Sequence, residues 1–257
     1  MTTTPVYDEK GHCPICDRAT RFASMSRDFR DQLVCADCPR QSSVPRERAL
    51  MLALERHAPD WRNLRIHESS PAERGVSAVL KDQCRGYVPT QFLPGVARGS
   101  MVDGVRCEDL EAQTFADESF DIVLTQDVLE HLFAPDAAMR ETARTLAPGG
   151  IAILTTPTVS VFAESYPVAI READGSVRHY IEPEYHGNPV DPNGSLVTWH
   201  FGYDLADRIG AWSGLDVVVE RSVDRTHGVL GPMTEVYVCR KPGVRKGRRL
   251  WGFQNRR

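Results

Sequence analysis

The chain has 257 residues, 41% of them hydrophobic and 26% charged, with a formal net charge of -4 and a pI near 6.1. That length buries a substantial core and allows one large domain or one domain with a small appendage, while mild acidity argues against a protein that coats nucleic acid through its overall field. No apolar run approaches the ~18 residues of a membrane span, and the first residues lack the basic-then-apolar form of a signal peptide, so a cytoplasmic protein is expected.

Seven cysteines is an odd number, and four of them form two C-x-x-C pairs, Cys13 with Cys16 and Cys35 with Cys38. Each pair can grip one metal from a tight turn, and together they supply the four thiolates of a closed tetrahedral site with zinc-ribbon spacing. Iron suits the same four sulfurs, and free or redox-active thiols are the bland alternative. With four protein ligands no position stays open for substrate, which makes the module structural or a recognition surface and not a catalytic centre. Cys84, Cys107 and Cys239 read as buried small hydrophobes.

Residues 45–61 place Leu50, Ala53, Leu54 and His57 at helical spacing behind Pro45, a connecting helix. Short apolar runs then alternate with helical patterns. Strands are expected over 63–68, 86–92, 104–110, 120–126 and 151–157, with a helix from Pro71 to Cys84 and another from Asp136 to Leu146 that Pro148-Gly149-Gly150 ends. Such alternation implies a parallel sheet covered on both faces. The pattern breaks over 158–203, a stretch rich in aromatics and histidines that includes Phe162, Tyr166, Tyr185, His186, Trp199 and His200; long connections of this kind are lids or binding loops. A helix over 204–214 and two successive strands, 215–223 and 233–241, suggest an antiparallel edge. The resulting division is a zinc-ribbon-like module at 1–44, the connecting helix at 45–61, a main domain at 62–242 with the insertion 158–203, and a basic tail at 243–257.

The block from Cys107 to Pro157 contains Glu108-Asp109-Leu110, Phe120-Asp121-Ile122-Val123, Leu129-Glu130-His131 and Leu146-Ala147-Pro148-Gly149-Gly150. In this combination it closely resembles the class I S-adenosylmethionine-dependent methyltransferases of the type 11 sort. The resemblance implies an α/β, Rossmann-like seven-stranded sheet with its last strand antiparallel, and S-adenosylmethionine lying across the carboxyl ends of the strands. Ligands of open parallel sheets bind there, at Glu68, Gln91, the residues around Asp109, and the stretch that includes Asp127 and His131. Asp109 suits the adenine amino group and the Leu110 N–H a ring nitrogen. Gln91 stands where the family usually offers the ribose a carboxylate, and bonds without charge assistance. The first strand of such folds usually runs into a glycine-rich turn; here it runs into Glu68-Ser69-Ser70-Pro71. Glu68 is expected to accept from the cofactor's ammonium, and Ser69, Ser70 and the N–H groups opening a helix at Pro71 to receive its carboxylate.

Methyl transfer demands alignment of nucleophile, carbon and sulfur, and a base only where the acceptor is protonated. His131, His186 and Tyr185 are the candidates for that base, in that order. The expected function is methyl transfer to a small molecule, such as a sugar or natural-product hydroxyl, with zinc in a structural role. One alternative is an RNA methyltransferase gripping its substrate through the zinc module and basic tail; another is a catalytically silent binding module of the same fold. Nothing in the sequence fixes the oligomeric state.

Overall fold

The computed structural model describes residues 4–38, 43–159, 161–188 and 191–243. The basic tail expected at 243–257 lies, from residue 244 on, outside the described residues. None of the described helices is long and apolar enough to cross a membrane.

The first residues form β1 (Tyr7–Cys13) and β2 (Arg18–Ser24), paired antiparallel, with β3 (Val34–Cys35) on the far side of β2 and a single helical turn, α1 (Phe29–Gln32), between them. Helix α2 (Pro45–His57) follows, starting at the proline expected to open it. The main sheet is built from β4 (Arg65–Ser69), β5 (Gly86–Gln91), β6 (Met101–Val102), β7 (Val105–Cys107), β8 (Phe120–Gln126) and β9 (Leu146–Thr155), with helices α3 (Gly75–Gln83) and α4 (Pro135–Thr145) between them. Six short strands occupy the insertion: β10 (Tyr166–Pro167), β11 (Ala169–Arg171), β12 (Val177–His179), β13 (Tyr185–His186), β14 (Ser195–Leu196) and β15 (Trp199–His200). Helix α5 (Leu205–Ser213) then leads to β16 (Asp216–Glu220) and β17 (Val236–Arg240).

The sheet order is β16-β17-β9-β8-β4-β5-β7-β6. Strands β7, β5, β4, β8 and β9 run parallel, and β17 pairs antiparallel with both β9 and β16. Seven of these positions are the expected sheet with its antiparallel last strand; the eighth is the two-residue β6, which hairpins onto β7.

Side chains alternate across the central strands. Ile122, Leu124, Ile151 and Ile153 face a core shared with α2, α3 and the cysteine module, whereas Val123, Ala152 and Leu154 face the core under α4 and α5. Phe22, Leu33, Cys13 and Cys35 of the module belong to that first core, which runs without a break from the ribbon through α2 to the sheet. Cys84, Cys107 and Cys239 are buried, as expected of small hydrophobes.

Two local expectations change. The first is the helix expected from Pro71, which begins only at Gly75, where φ is +59° and any Cβ would stand 2.7–2.9 Å from the Glu47 carboxylate. Glycine is the residue that tolerates both conditions. The second is Pro148-Gly149-Gly150, which does not cap α4: that helix already ends at Thr145, and these residues bulge out of β9, between the Phe120–Leu146 and Ile122–Ile151 pairs. A Cβ on Gly150 would lie 2.9 Å from the Asp121 carbonyl, so the bulge needs glycine for a close strand approach.

His67 on β4 is fully buried, bonded through Nε2 to Thr90 Oγ1 at 2.8 Å and packed against Phe115 and Phe120. Burial pushes its pKa down to about 4. The unfolded chain, with an ordinary histidine near 6.5, therefore takes up a proton that the folded chain refuses until about pH 4. Stability contributed by neutral His67 is present above pH 6.5 and falls as pH drops toward 4, by about 3 kcal/mol. Urea unfolding across this range should show that slope, and His67→Gln, which keeps a partner for Thr90 without titrating, should flatten it.

Candidate functional site

In the cysteine module, the β1–β2 turn carries Cys13 and Cys16, and the turn after β3 carries Cys35 and Cys38. The register sets Phe22 beside Cys35 and Cys13 beside Arg18, which brings the two turns together. All four sulfurs lie within 4.8 Å of one another, with Cys16 and Cys35 3.9 Å apart. That separation is far beyond a disulfide bond of about 2.05 Å and matches the sulfur spacing around a cation with bonds of about 2.3 Å. Ser43 Oγ lies 3.3 Å from Cys13 Sγ and Thr20 Oγ1 3.4 Å from Cys35 Sγ, hydroxyl partners of the kind thiolate ligands recruit. Hydrogen bonding from Cys35 and Ser43 pulls Cys13 down to about 4, while burial and the charge of Cys13 push Cys16 up to about 12 and the hydrogen bond to Cys13 pushes Cys35 up, so the cluster by itself favours a single thiolate.

Arg48 of α2 stands behind the sulfurs. Its guanidinium is fully buried over the Phe22 ring, and it donates to Leu33 O at 2.9 Å, Gly228 O at 2.7 Å, Ser43 O and Ser43 Oγ. It thereby joins the module, α2 and the loop before β17.

At the carboxyl ends of the central strands, Glu68 is fully buried and accepts from Ser77 Oγ, Tyr87 OH and Gln126 Nε2, each at 2.7 Å. Burial raises its pKa, and these three donors oppose the rise. In this structure the carboxylate of Glu68, expected to meet a cofactor ammonium, is enclosed and ties β4, α3, β5 and β8 together. Ser69 is buried, and Ser70 takes φ of +51°, the left-handed region that favours glycine, with its N–H on Thr90 O at 2.7 Å. The turn that a glycine usually makes is thus made by a serine. No helix opens at Pro71 to offer N–H groups.

Gln91 ends β5, and its carbonyl accepts from Glu108 N at 3.1 Å, which brings the residues after β7 alongside. Asp109 is half-buried and accepts from Glu111 N at 2.9 Å, a turn that fixes its carboxylate. The Leu110 side chain is buried and lines an apolar space under α4.

Asp127 also takes a left-handed conformation, φ +50°, directly after β8. Its carboxylate accepts from Arg30 Nη2 at 2.7 Å and Thr155 Oγ1 at 3.0 Å and forms an ion pair with Arg46 Nε at 2.8 Å. Burial and the nearby Glu130 raise its pKa, and the two guanidiniums work against that rise. Arg30 comes from α1, between the cysteine pairs, and also donates to Met233 O at 2.7 Å. Sequence reasoning missed Arg30 and Arg46 because neither lies near the methyltransferase-like block in the chain; folding alone brings them to it.

The histidines expected as bases do meet. His131 and His186 pack edge to face with ring centres 5.2 Å apart, His186 being delivered by the insertion. Thr198 docks the insertion onto the turn Leu129–His131, donating from its N–H to Glu130 O at 2.8 Å and from its hydroxyl to Leu132 O at 2.6 Å. Glu130, quoted in the motif but not singled out, lies between the two rings. Burial would raise its pKa, but attraction to His186 and His131 and the Thr156 hydroxyl hold it below the ordinary value. Tyr185, the third candidate, is exposed beside His186.

Replacing Glu68 by Gln would turn an acceptor into a group that also donates, facing three donors. Glu68→Gln is expected to lower the unfolding free energy by about 2 kcal/mol, read from urea denaturation; an unchanged midpoint would show that the enclosed carboxylate does not hold the strand ends.

Comparisons with known proteins agree with this geometry. Residues 88–154 match a family profile described as a methyltransferase domain. Over 101 residues the chain is 30% identical to a ubiquinone biosynthesis O-methyltransferase of Parvibaculum lavamentivorans, covering 39% of this chain and 40% of that protein. Over 111 residues it is 33% identical to the enzyme of the same name from Ruegeria pomeroyi, covering 43% and 44%. The matched part is thus about two fifths of those relatives' length. An S-adenosylmethionine dependent methyltransferase from Mesorhizobium loti superposes with a TM-score of 0.49 at 18% identity, covering 75% of this chain and 98% of that one; a likeness of that degree says nothing about chemistry. Residues 88–154 thus resemble a methyltransferase domain, and they are seated in a sheet whose last strand runs antiparallel.

Proposed function

We propose that the protein transfers a methyl group from S-adenosylmethionine to a hydroxyl of a small molecule, in the cytoplasm. The observation that carries this reading is the convergence of Ser69, Ser70, Gln91, Asp109 and Asp127 on the carboxyl ends of adjacent strands, within and beside the matched segment. Bound there, the cofactor supplies an electrophilic methyl on a sulfonium. Asp109 and the Leu110 N–H suit adenine and Gln91 the ribose. Arg30 and Arg46, balanced by Asp127, suit the methionine carboxylate, and Ser70 supplies the tight turn. His131 and His186 flank the place where an acceptor hydroxyl would give up its proton, with Tyr185 at its rim. The O-methyltransferase names of the two relatives favour a hydroxyl over a nitrogen or carbon acceptor. The free cysteines fit a reducing compartment.

The four-cysteine cluster is proposed to hold one structural zinc. Its sulfur spacing, hydroxyl partners and buried Arg48 suit a thiolate-bound cation that carries net negative charge.

Calorimetry should detect binding of S-adenosylmethionine, and labelled cofactor should methylate members of a panel of phenols, catechols and sugars. Asp109→Ala should weaken cofactor binding at least about tenfold, on the order of 1.4 kcal/mol, without a comparable loss of stability; no heat of binding at millimolar cofactor would refute the reading. Because the module shares the main core, Cys35→Ser should remove the thiolate-bound metal and lower the unfolding free energy on the order of 4 kcal/mol, measurable as metal content and thermal midpoint.

A further inference from the structure

Glu130 presents a problem that the methyl-transfer reading does not solve. The residue is 1% exposed, yet Oε1 has no hydrogen-bond partner among the described residues. Its sister oxygen Oε2 is satisfied by the Thr156 hydroxyl at 2.8 Å, which pins the carboxylate. An orphaned buried carboxylate oxygen is costly, and proteins keep such atoms where something else completes them.

Two ring nitrogens face that oxygen, His131 Nε2 and His186 Nδ1, each 3.8 Å away. That is too long for a hydrogen bond. It is close to the spacing of donors that share one cation, which stand roughly 3–4 Å apart when the bonds are ~2.0–2.2 Å. The three donor atoms lie within 4.8 Å of one another.

The outer nitrogens of both rings are committed. His131 Nδ1 lies 2.9 Å from Leu196 O, an acceptor only, so that nitrogen carries the proton and Nε2 turns its lone pair toward Glu130. His186 Nε2 lies 3.2 Å from Glu184 Oε1, while the other Glu184 oxygen meets His200 Nε2 at 2.9 Å. A carbonyl or carboxylate holding the far nitrogen is the support that metal-bound histidines regularly have.

We propose that Glu130, His131 and His186 form a second metal site, for a divalent first-row cation such as zinc or ferrous iron. Two imidazoles and one carboxylate suit such ions. Three protein ligands leave a position open, in contrast to the closed four-cysteine site, and the side left open is that of His186 and Tyr185, the more exposed members of the group. The role follows only if the methyl-transfer reading holds. An acceptor hydroxyl at the open position would release its proton to water and its oxygen lone pair would attack the methyl carbon, while the carbon–sulfur pair returns to sulfur as a neutral thioether. The cation site itself stands without that reading.

The test uses untagged full-length protein with its cysteine cluster loaded with zinc, titrated with cobalt(II) in the absence of S-adenosylmethionine. One further equivalent of cobalt is expected, with the weak visible bands of nitrogen and oxygen ligands and without the near-ultraviolet charge transfer of thiolates. Glu130→Gln and His186→Ala should each weaken this binding at least tenfold; His186 is half-exposed on the insertion, so its variant answers even if the buried substitution fails to fold. Cobalt uptake confined to the cysteine cluster, or undiminished binding in folded His186→Ala, would overturn the site. Either result leaves cofactor binding to be judged separately by calorimetry.

Discussion

A buried guanidinium sets the terms for this molecule. Arg48 has no water around it, and its hydrogen-bond partners are carbonyls and a hydroxyl, none of them charged. Desolvation pulls its pKa down to about 10, and the negative charge of Cys13, Cys35, Glu47 and Cys38 opposes that fall. The link is short: Arg48 donates to Ser43 Oγ, which itself lies 3.3 Å from Cys13 Sγ. Arg48 thus favours negative charge on the sulfurs beside it, and the cysteine cluster together with Glu47 offsets the cost of burying a guanidinium. The Leu33 and Gly228 carbonyls on the same guanidinium extend this mutual dependence to the loop before β17.

The same economy of charge governs the strand ends. Arg30 and Arg46 converge on Asp127 from the module side, while the insertion brings His186 to Glu130 from the other. Asp127 and Glu130 are three positions apart, so both arms close on one short turn after β8. The turn keeps its shape because Asp127 N bonds Thr155 O at 3.0 Å and Thr198 covers Glu130 O, leaving side chains and not backbone to face a ligand.

Much of this was legible in the sequence, and the reasons are physical. Strands such as Phe120–Gln126 are buried on both faces and read as continuous apolar runs, and the two cysteine pairs declare their geometry by spacing alone. His131 and His186 were found by residue type, although fifty-five positions separate them in the chain. The start of α3 was misjudged because proline is a common first helical residue, while the real constraint, the Glu47 carboxylate beside Gly75, comes from a different helix. Pro148-Gly149-Gly150 carries the composition of a helix stop but makes a strand bulge, since glycine serves both uses. Glu68 shows the strongest limit. A carboxylate at a strand end reads as a ligand group, and nothing local in the sequence announces that Ser77, Tyr87 and Gln126 enclose it. No local pattern marks Arg30, whose partner lies 97 positions away.

The contact between Arg48 and Gly228 spans 180 positions, and His12 meets Thr226 over a still longer span. During synthesis the ribbon leaves the ribosome well before part of the surface it packs against. Phe22 and Leu33 share their core with α2 and with Val229, Leu230, Val236 and Val238, so part of their cover arrives only with that last stretch. Loop closure over such distances is slow, and an exposed apolar face in the meantime invites misassembly. Early metal capture would hold the ribbon compact through that wait, making the cluster a device of timing as much as of stability.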